Sequence, residues 1–159
     1  MGSRLPLFGI AGSSALLAYV LGAQYLQGLD PCPLCIWQRW PHLAAILLGL
    51  AAMVAQRRSL FVLPAVALLA GTAIAGYHVG VEQQWWAGLE SCAGRPMGSM
   101  SGADLLNFSN PVTVTRCDEV VWSFLGLSMA AWNALASAGL AVAWILAAWP
   151  PGRITNRPG

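Results

Sequence analysis

The sequence predicts an all-α, polytopic membrane protein: a four-helix bundle with one long outer loop between its third and fourth helices. Three observations carry this. Of 159 residues, 57% are apolar and only 9% are charged. A soluble domain carries about 25% charged residues, so the deficit makes lipid the solvent. Residues 5–29, 40–56, 59–81 and 120–152 contain no charge at all, and a bilayer core needs roughly 20 apolar residues per helix. The third observation is sidedness. All eight basic residues are arginine, and Arg4, Arg57, Arg58, Arg153 and Arg157 fall on one face of a four-span arrangement. Asp30, Glu82, Glu90, Asp104, Asp118, Glu119 and all four cysteines fall on the other. Arginine marks the cytoplasmic face, and cysteine pairs persist in the oxidising compartment outside it. Both signals give one orientation, with both chain termini in the cytoplasm. A net charge of +2 and the lack of a basic run give no footing for nucleic acid.

The elements follow in order, as one integral-membrane domain over residues 1–159. The first helix is expected over about 7–26, and its apolar run is longer than the core of a cleaved signal peptide. An outer loop over about 27–34 turns at Gly28-Leu29-Asp30-Pro31. The second helix is expected over about 35–55, with Pro41 in its first turns, where proline is tolerated. Gln56-Arg57-Arg58-Ser59 makes a tight cytoplasmic hairpin, and the third helix covers about 60–79 with Pro64 near its start. The outer loop over about 80–129 is long enough to be functional. Within it, residues 101–108 suggest a short amphipathic helix, Asn107-Phe108-Ser109 fits a glycosylation sequon, and Trp85 and Trp86 suit an interfacial aromatic belt. Residues 122–129 are expected at the membrane surface. The fourth helix is expected over about 130–148, between Trp132 and Trp149, and Trp-Pro-Pro-Gly ends it.

The chemistry centres on Pro31-Cys32-Pro33-Leu34-Cys35-Ile36-Trp37-Gln38-Arg39. Two cysteines three apart close a small disulfide or hold part of a metal site. Placing Cys35 at a helix start aims backbone amides at it, which favours a thiolate. Arg39 follows one turn on, roughly 6 Å along the axis, as a permanent positive charge. Cys92 and Cys117 stand near the two ends of the long loop. A zinc site normally shows two CxxC knuckles, and here the second pair is split by 24 residues, so no metal is expected. Two structural disulfides in a membrane scaffold are the bland alternative; a redox relay of two pairs is the reading favoured. Arg39 is either a snorkelling interfacial residue or part of the site. His42 reads as a packed histidine, Glu82 as a solvated loop acid and Asn133 as interhelical glue. His78 lies at the depth of the CxxC, where it can face a bound cofactor.

The CxxC segment, Ser91-Cys92, and Arg116-Cys117-Asp118 running into Trp122-Ser123-Phe124-Leu125-Gly126-Leu127-Ser128-Met129 resemble the bacterial disulfide bond formation protein B (DsbB-type) family over nearly the whole chain. The resemblance implies a quinone-dependent thiol oxidase of the bacterial inner membrane. Its cofactor would be ubiquinone or menaquinone, and its partner a periplasmic thioredoxin-fold thiol oxidase of the DsbA type. Cys32 and Cys35 match the quinone-coupled pair, and Cys92 and Cys117 the partner-facing pair, with Cys92 at the mixed disulfide. Arg39 matches an arginine of the quinone site, and His78 is the candidate histidine there. Ala130 departs from a proline common in the family, which bears on how the fourth helix begins. A quinone reductase of the vitamin K epoxide reductase type is the rival enzyme class, but its CxxC belongs on a late helix.

Overall fold

The computed structural model describes residues 4–89, 92 and 116–149. The suggested helix over 101–108, the sequon, the Pro-Pro-Gly that follows Trp149, Arg153 and Arg157 lie outside these. Helix α1 is Leu5–Leu26, α2 is Pro33–Trp37, α3 is Arg39–Val54, α4 is Val62–Glu82 and α5 is Met129–Ala148. A 3-10 turn, Arg58–Phe61, leads into α4, and two short strands, β1 (Ser123–Phe124) and β2 (Leu127–Ser128), precede α5. The four long helices form a closed ring in which α1 meets α3 and α5, and α4 meets α3 and α5; α4 with α5 is the largest interface. Among the described residues three stretches, Leu5–Leu26, Arg58–Glu82 and Met129–Ala148, are long and apolar enough to cross a bilayer. The protein is therefore a multi-pass membrane helix bundle. Its remaining long helix, α3, has 16 residues and is extended outward by α2.

The expected helix boundaries shift where local chemistry dictates. The second helix begins at Pro33 rather than Cys35, because proline at the first helical position is pre-organised and lacks an N–H that would be orphaned anyway. Cys32, with extended backbone angles, is the N-cap residue. The same helix breaks at Gln38, since Pro41 offers no N–H to the Trp37 carbonyl. The third expected helix runs on to Glu82, three residues past the predicted end. Residues 122–129, expected only to rest at the surface, contain an antiparallel hairpin pairing Ser123 with Ser128 and Phe124 with Leu127. Leu125 and Gly126 both have positive φ, 53° and 78°, the signature of the two-residue turn that matches strand twist. The hairpin delivers Ser128 as the cap of α5, accepting from the Ala131 N–H at 3.2 Å. That cap starts α5 without the family's proline.

At the inner end, Trp144 is completely buried and tilts against Phe61 at 5.5 Å between ring centres. Its indole fits because Gly9 on α1 and Gly49 on α3 have no side chains; a Cβ at either would stand 2.5 Å from the ring. Small-residue faces let helices approach closely in lipid, where no hydrophobic force drives them together.

Candidate functional site

The four cysteines meet at the outer end of the bundle. Cys32, Leu34, Val81, Cys92 and Cys117 form one buried cluster, with Cys35 and Tyr77 packed on it. Cys92 and Cys117 are joined as a disulfide, while Cys32 and Cys35 are thiols. The Cys117 N–H donates to the Cys92 carbonyl at 3.3 Å. Folding therefore places the loop pair directly against the CxxC pair.

Within the CxxC pair the favoured thiolate is Cys32, not Cys35 as the sequence suggested. Once the helix starts at Pro33, Cys32 is the cap, and its sulfur accepts the Cys35 N–H at 3.2 Å. The two sulfurs are hydrogen-bonded to each other at 2.9 Å, and the His78 Nε2 lies 3.7 Å from Cys32. The Cys35 hydrogen bond is the main reason that the Cys32 thiol is lowered from 9.0 to about 5; burial opposes it, and His78 adds to it. This leaves Cys35 holding the shared proton.

Arg39 lines the same cavity as Cys35 but turns its guanidinium to α1, where it donates to Gln24 Oε1 at 2.7 Å. Its Nε is buried and has no hydrogen-bond partner among the described residues. The cavity holds about 330 Å³ and is walled by Leu16, Val20, Val121, Met129, Tyr19 and Trp122. Both thiols, Arg39, His42, His78, Glu82 and Asn133 also reach its surface. An apolar chamber with a few polar groups is the usual form of a small-molecule site. The lining thus offers apolar walls, a guanidinium N–H without a partner among the described residues, and thiols at one side.

Several residues matter that the sequence reading undervalued. Glu82 is not a solvated loop acid: as the last residue of α4 its side chain is 5% exposed, lies 3.9 Å from His78 Nε2, and accepts from the Ser128 hydroxyl. Asn133 does join helices, but to two polar partners: it donates to Gln38 Oε1 at 2.6 Å and faces His42 Nε2 through its Oδ1 at 2.9 Å. Gln38 in turn touches His78 Nδ1 at 2.8 Å. The signal that could have found them is polar pairs four residues apart, Gln38 with His42, His78 with Glu82 and Asn133 with Ser137, each on one face of an otherwise apolar helix. Cys32, Cys35 and His78 also place three donor atoms within 4.8 Å of one another, a grouping that the spacing of the four cysteines did not suggest.

The profile of the family described as "Disulfide bond formation protein DsbB" matches residues 3–147. Among similar proteins, the disulfide bond formation protein B of Xylella fastidiosa strain Temecula1 is 36% identical over 153 residues, covering 86% of each chain. That of Azoarcus sp. strain BH72 is 34% identical over 161 residues, covering 91% of this chain and 93% of the relative. That of Methylococcus capsulatus strain Bath is 34% identical, covering 90% and 92%. No solved structure gives a significant match. A match running from the first helix to the end of the last, among relatives of nearly equal length, makes this chain a member of the DsbB family of disulfide-bond-forming membrane proteins.

Proposed function

We propose that the protein is a protein-dithiol:quinone oxidoreductase that reoxidises a periplasmic thioredoxin-fold thiol oxidase of the DsbA type. The observation that carries this reading is the single buried cluster holding a Cys92–Cys117 disulfide against a Cys32/Cys35 dithiol at the wall of an apolar cavity. In this reading the bundle is one domain of the bacterial inner membrane with both termini cytoplasmic, consistent with the arginine distribution.

Exchange proceeds by thiolate attack on a disulfide sulfur. A partner thiolate attacks Cys92, the Cys92–Cys117 bond breaks, and Cys117 leaves as a thiolate. The partner's second thiol then displaces Cys92, so the partner gains a disulfide and two electrons stay on Cys92 and Cys117. These pass to an oxidised Cys32–Cys35 pair by the same exchange. Cys32 is the better leaving thiolate, because the Cys35 N–H and the His78 ring stabilise its charge. Ubiquinone or menaquinone, bound in the cavity, would supply the two-electron, two-proton acceptor for the regenerated dithiol. Arg39 and His78 are the residues proposed to hold it, and the apolar walls exclude water. The rest of the site positions Cys32 and Cys35.

Thiol trapping with and without quinone tests this. Cys92→Ser or Cys117→Ser should stop partner oxidation yet leave Cys32 and Cys35 reoxidisable by quinone. Cys32→Ser or Cys35→Ser should block delivery to quinone. Normal partner oxidation by Cys92→Ser would refute the two-pair relay.

A further inference from the structure

Among the described residues six polar side chains are buried: Ser13, Gln38, His42, His78, Ser128 and Ser137. Five of them, Ser13, Gln38, His42, His78 and Ser137, are linked into one hydrogen-bonded network through Asn133; Ser128 bonds Glu82, whose carboxylate lies 3.9 Å from His78 Nε2. For a neutral His78 ring the network's donor and acceptor pattern has one consistent solution. The Cys117 carbonyl can only accept, and it lies 3.2 Å from His78 Nε2, so that nitrogen carries the hydrogen. His78 Nδ1 must then accept, and its neighbour at 2.8 Å is the Gln38 amide nitrogen. The Gln38 oxygen accepts from the Asn133 amide at 2.6 Å. The Asn133 oxygen therefore faces an N–H on His42 Nε2 at 2.9 Å. That assignment also satisfies the inner end. Nε2 of His42 has a second oxygen, Ser137 Oγ, at 3.2 Å, while among the described residues its Nδ1 has only Ser13 Oγ at 3.4 Å, which donates to it.

We propose that His42, Asn133 and Gln38 are positioning residues of the redox site, which hold His78 in the tautomer whose Nε2–H faces the Cys32 sulfur. An imidazole with this tautomer presents a hydrogen to the thiolate; the other presents a lone pair, which repels it. Two amides in series couple the rings, because turning either one over leaves two donors or two acceptors face to face. In a bilayer such a mismatch has no water to relieve it. Interhelical glue alone would need polar pairs. It would not need two imidazoles at the ends of an amide bridge, both on the wall of the cavity that the thiols reach.

The inference rests on reading Cys32 and Cys35 as a redox pair, but its test needs neither quinone nor partner. The groups facing Cys32 are Cys35 from α2 and His78 from α4, whose Nε2 also lies 3.9 Å from Glu82; Arg39 and Arg116 stand further along the cavity wall. The full-length reduced protein in detergent is labelled at histidine nitrogens, and the ring shifts of His78 are read at about pH 8, where an unperturbed imidazole is neutral. The expected result is the neutral Nε2–H tautomer; a Nδ1–H or doubly protonated ring overturns the proposal. Alkylation of Cys32 against pH, read by peptide mapping, gives the second arm. Asn133→Leu should raise the midpoint by about one unit, the size expected for weakening one hydrogen bond to a charged sulfur. His42→Phe should do the same, and His42→Gln, which keeps an N–H for Asn133, should restore the native midpoint. In His78→Phe, adding Asn133→Leu should produce no further shift. A native midpoint in folded Asn133→Leu, or an additive double variant, would show the network to be packing alone.

Discussion

The two ends of the bundle are built by opposite rules. Around Trp144 the inner end is apolar and settled by shape: glycines on α1 and α3 admit an indole that no solvent reaches. Around His78 the outer end is polar and settled by hydrogen bonds, with α3, α4 and α5 each contributing at least one polar side chain to one network. Lipid offers helices little hydrophobic reason to associate, so close packing and interhelical hydrogen bonds must both contribute. Here they are segregated. Substitution at the inner end should change stability and leave the thiols alone; substitution at the outer end should change the thiols first.

The largest expected effect is on the outer chemistry. With Cys32 lowered from the ordinary thiol value of 9.0 to about 5, it should alkylate faster than Cys35 throughout the neutral range. Linkage gives the sign for stability. A thiol whose folded pKa is depressed contributes stability that is fully present above its unfolded value and is lost as pH falls through its folded value. From this thiol, the reduced protein should gain apparent melting temperature as pH rises from about 5 towards 9. Protein oxidised at Cys32–Cys35 should show no such gain. Equal alkylation of the two thiols at neutral pH would contradict the capped geometry.

A second prediction sets the same substitution in two places. Gly49→Ala puts a Cβ 2.5 Å from the Trp144 ring, whereas among the described residues a Cβ on Gly139 of α5 meets nothing within 4 Å. Gly49→Ala should lose about 1–3 kcal/mol through overpacking. Gly139→Ala should gain roughly 0.5–1 kcal/mol, because alanine loses less backbone freedom in a helix. Thermal unfolding in detergent measures both, and the Cys32 alkylation profile should match the native one in each. If Gly49→Ala moved that profile, the two ends would not be independent.

Much of this architecture is legible in the sequence because hydropathy and charge report on the solvent. The charge-free runs locate the long helices. The helix starts are less legible. Cys32 becomes the cap only because Pro33 occupies the first helical position, and that single offset moves the thiolate from Cys35 to Cys32. Glu82 is misread for a similar reason: α4 continues past Val79 and carries the acid inward beside His78. Arg39 has the expected charge, but its guanidinium bonds Gln24, a choice made by tertiary placement of α1. Pairing across the network depends on which helix faces which, and one-helix periodicity carries no record of that. The i,i+4 polar pairs reveal that such faces exist, not how they meet.

The smallest expected effect tests where the two regimes join. Ser128 both caps α5, through the Ala131 N–H, and donates to the Glu82 carboxylate. Loss of an N-cap hydroxyl costs about 1 kcal/mol. Ser128→Ala removes this cap and also leaves a nearly buried carboxylate without its hydroxyl donor, so its consequences should divide. Part should appear as a lower melting temperature. Part should appear at His78, whose Nε2 lies 3.9 Å from Glu82, as a changed ring shift with the tautomer retained. Ser128→Asp keeps a capping oxygen but sets a second carboxylate against Glu82 in place of a donor. It should therefore recover the helix start and worsen the outer site. If Ser128→Ala and Ser128→Asp lowered stability equally and left His78 unchanged, Glu82 would be only a neighbour of the network, and the polar regime would end at His78.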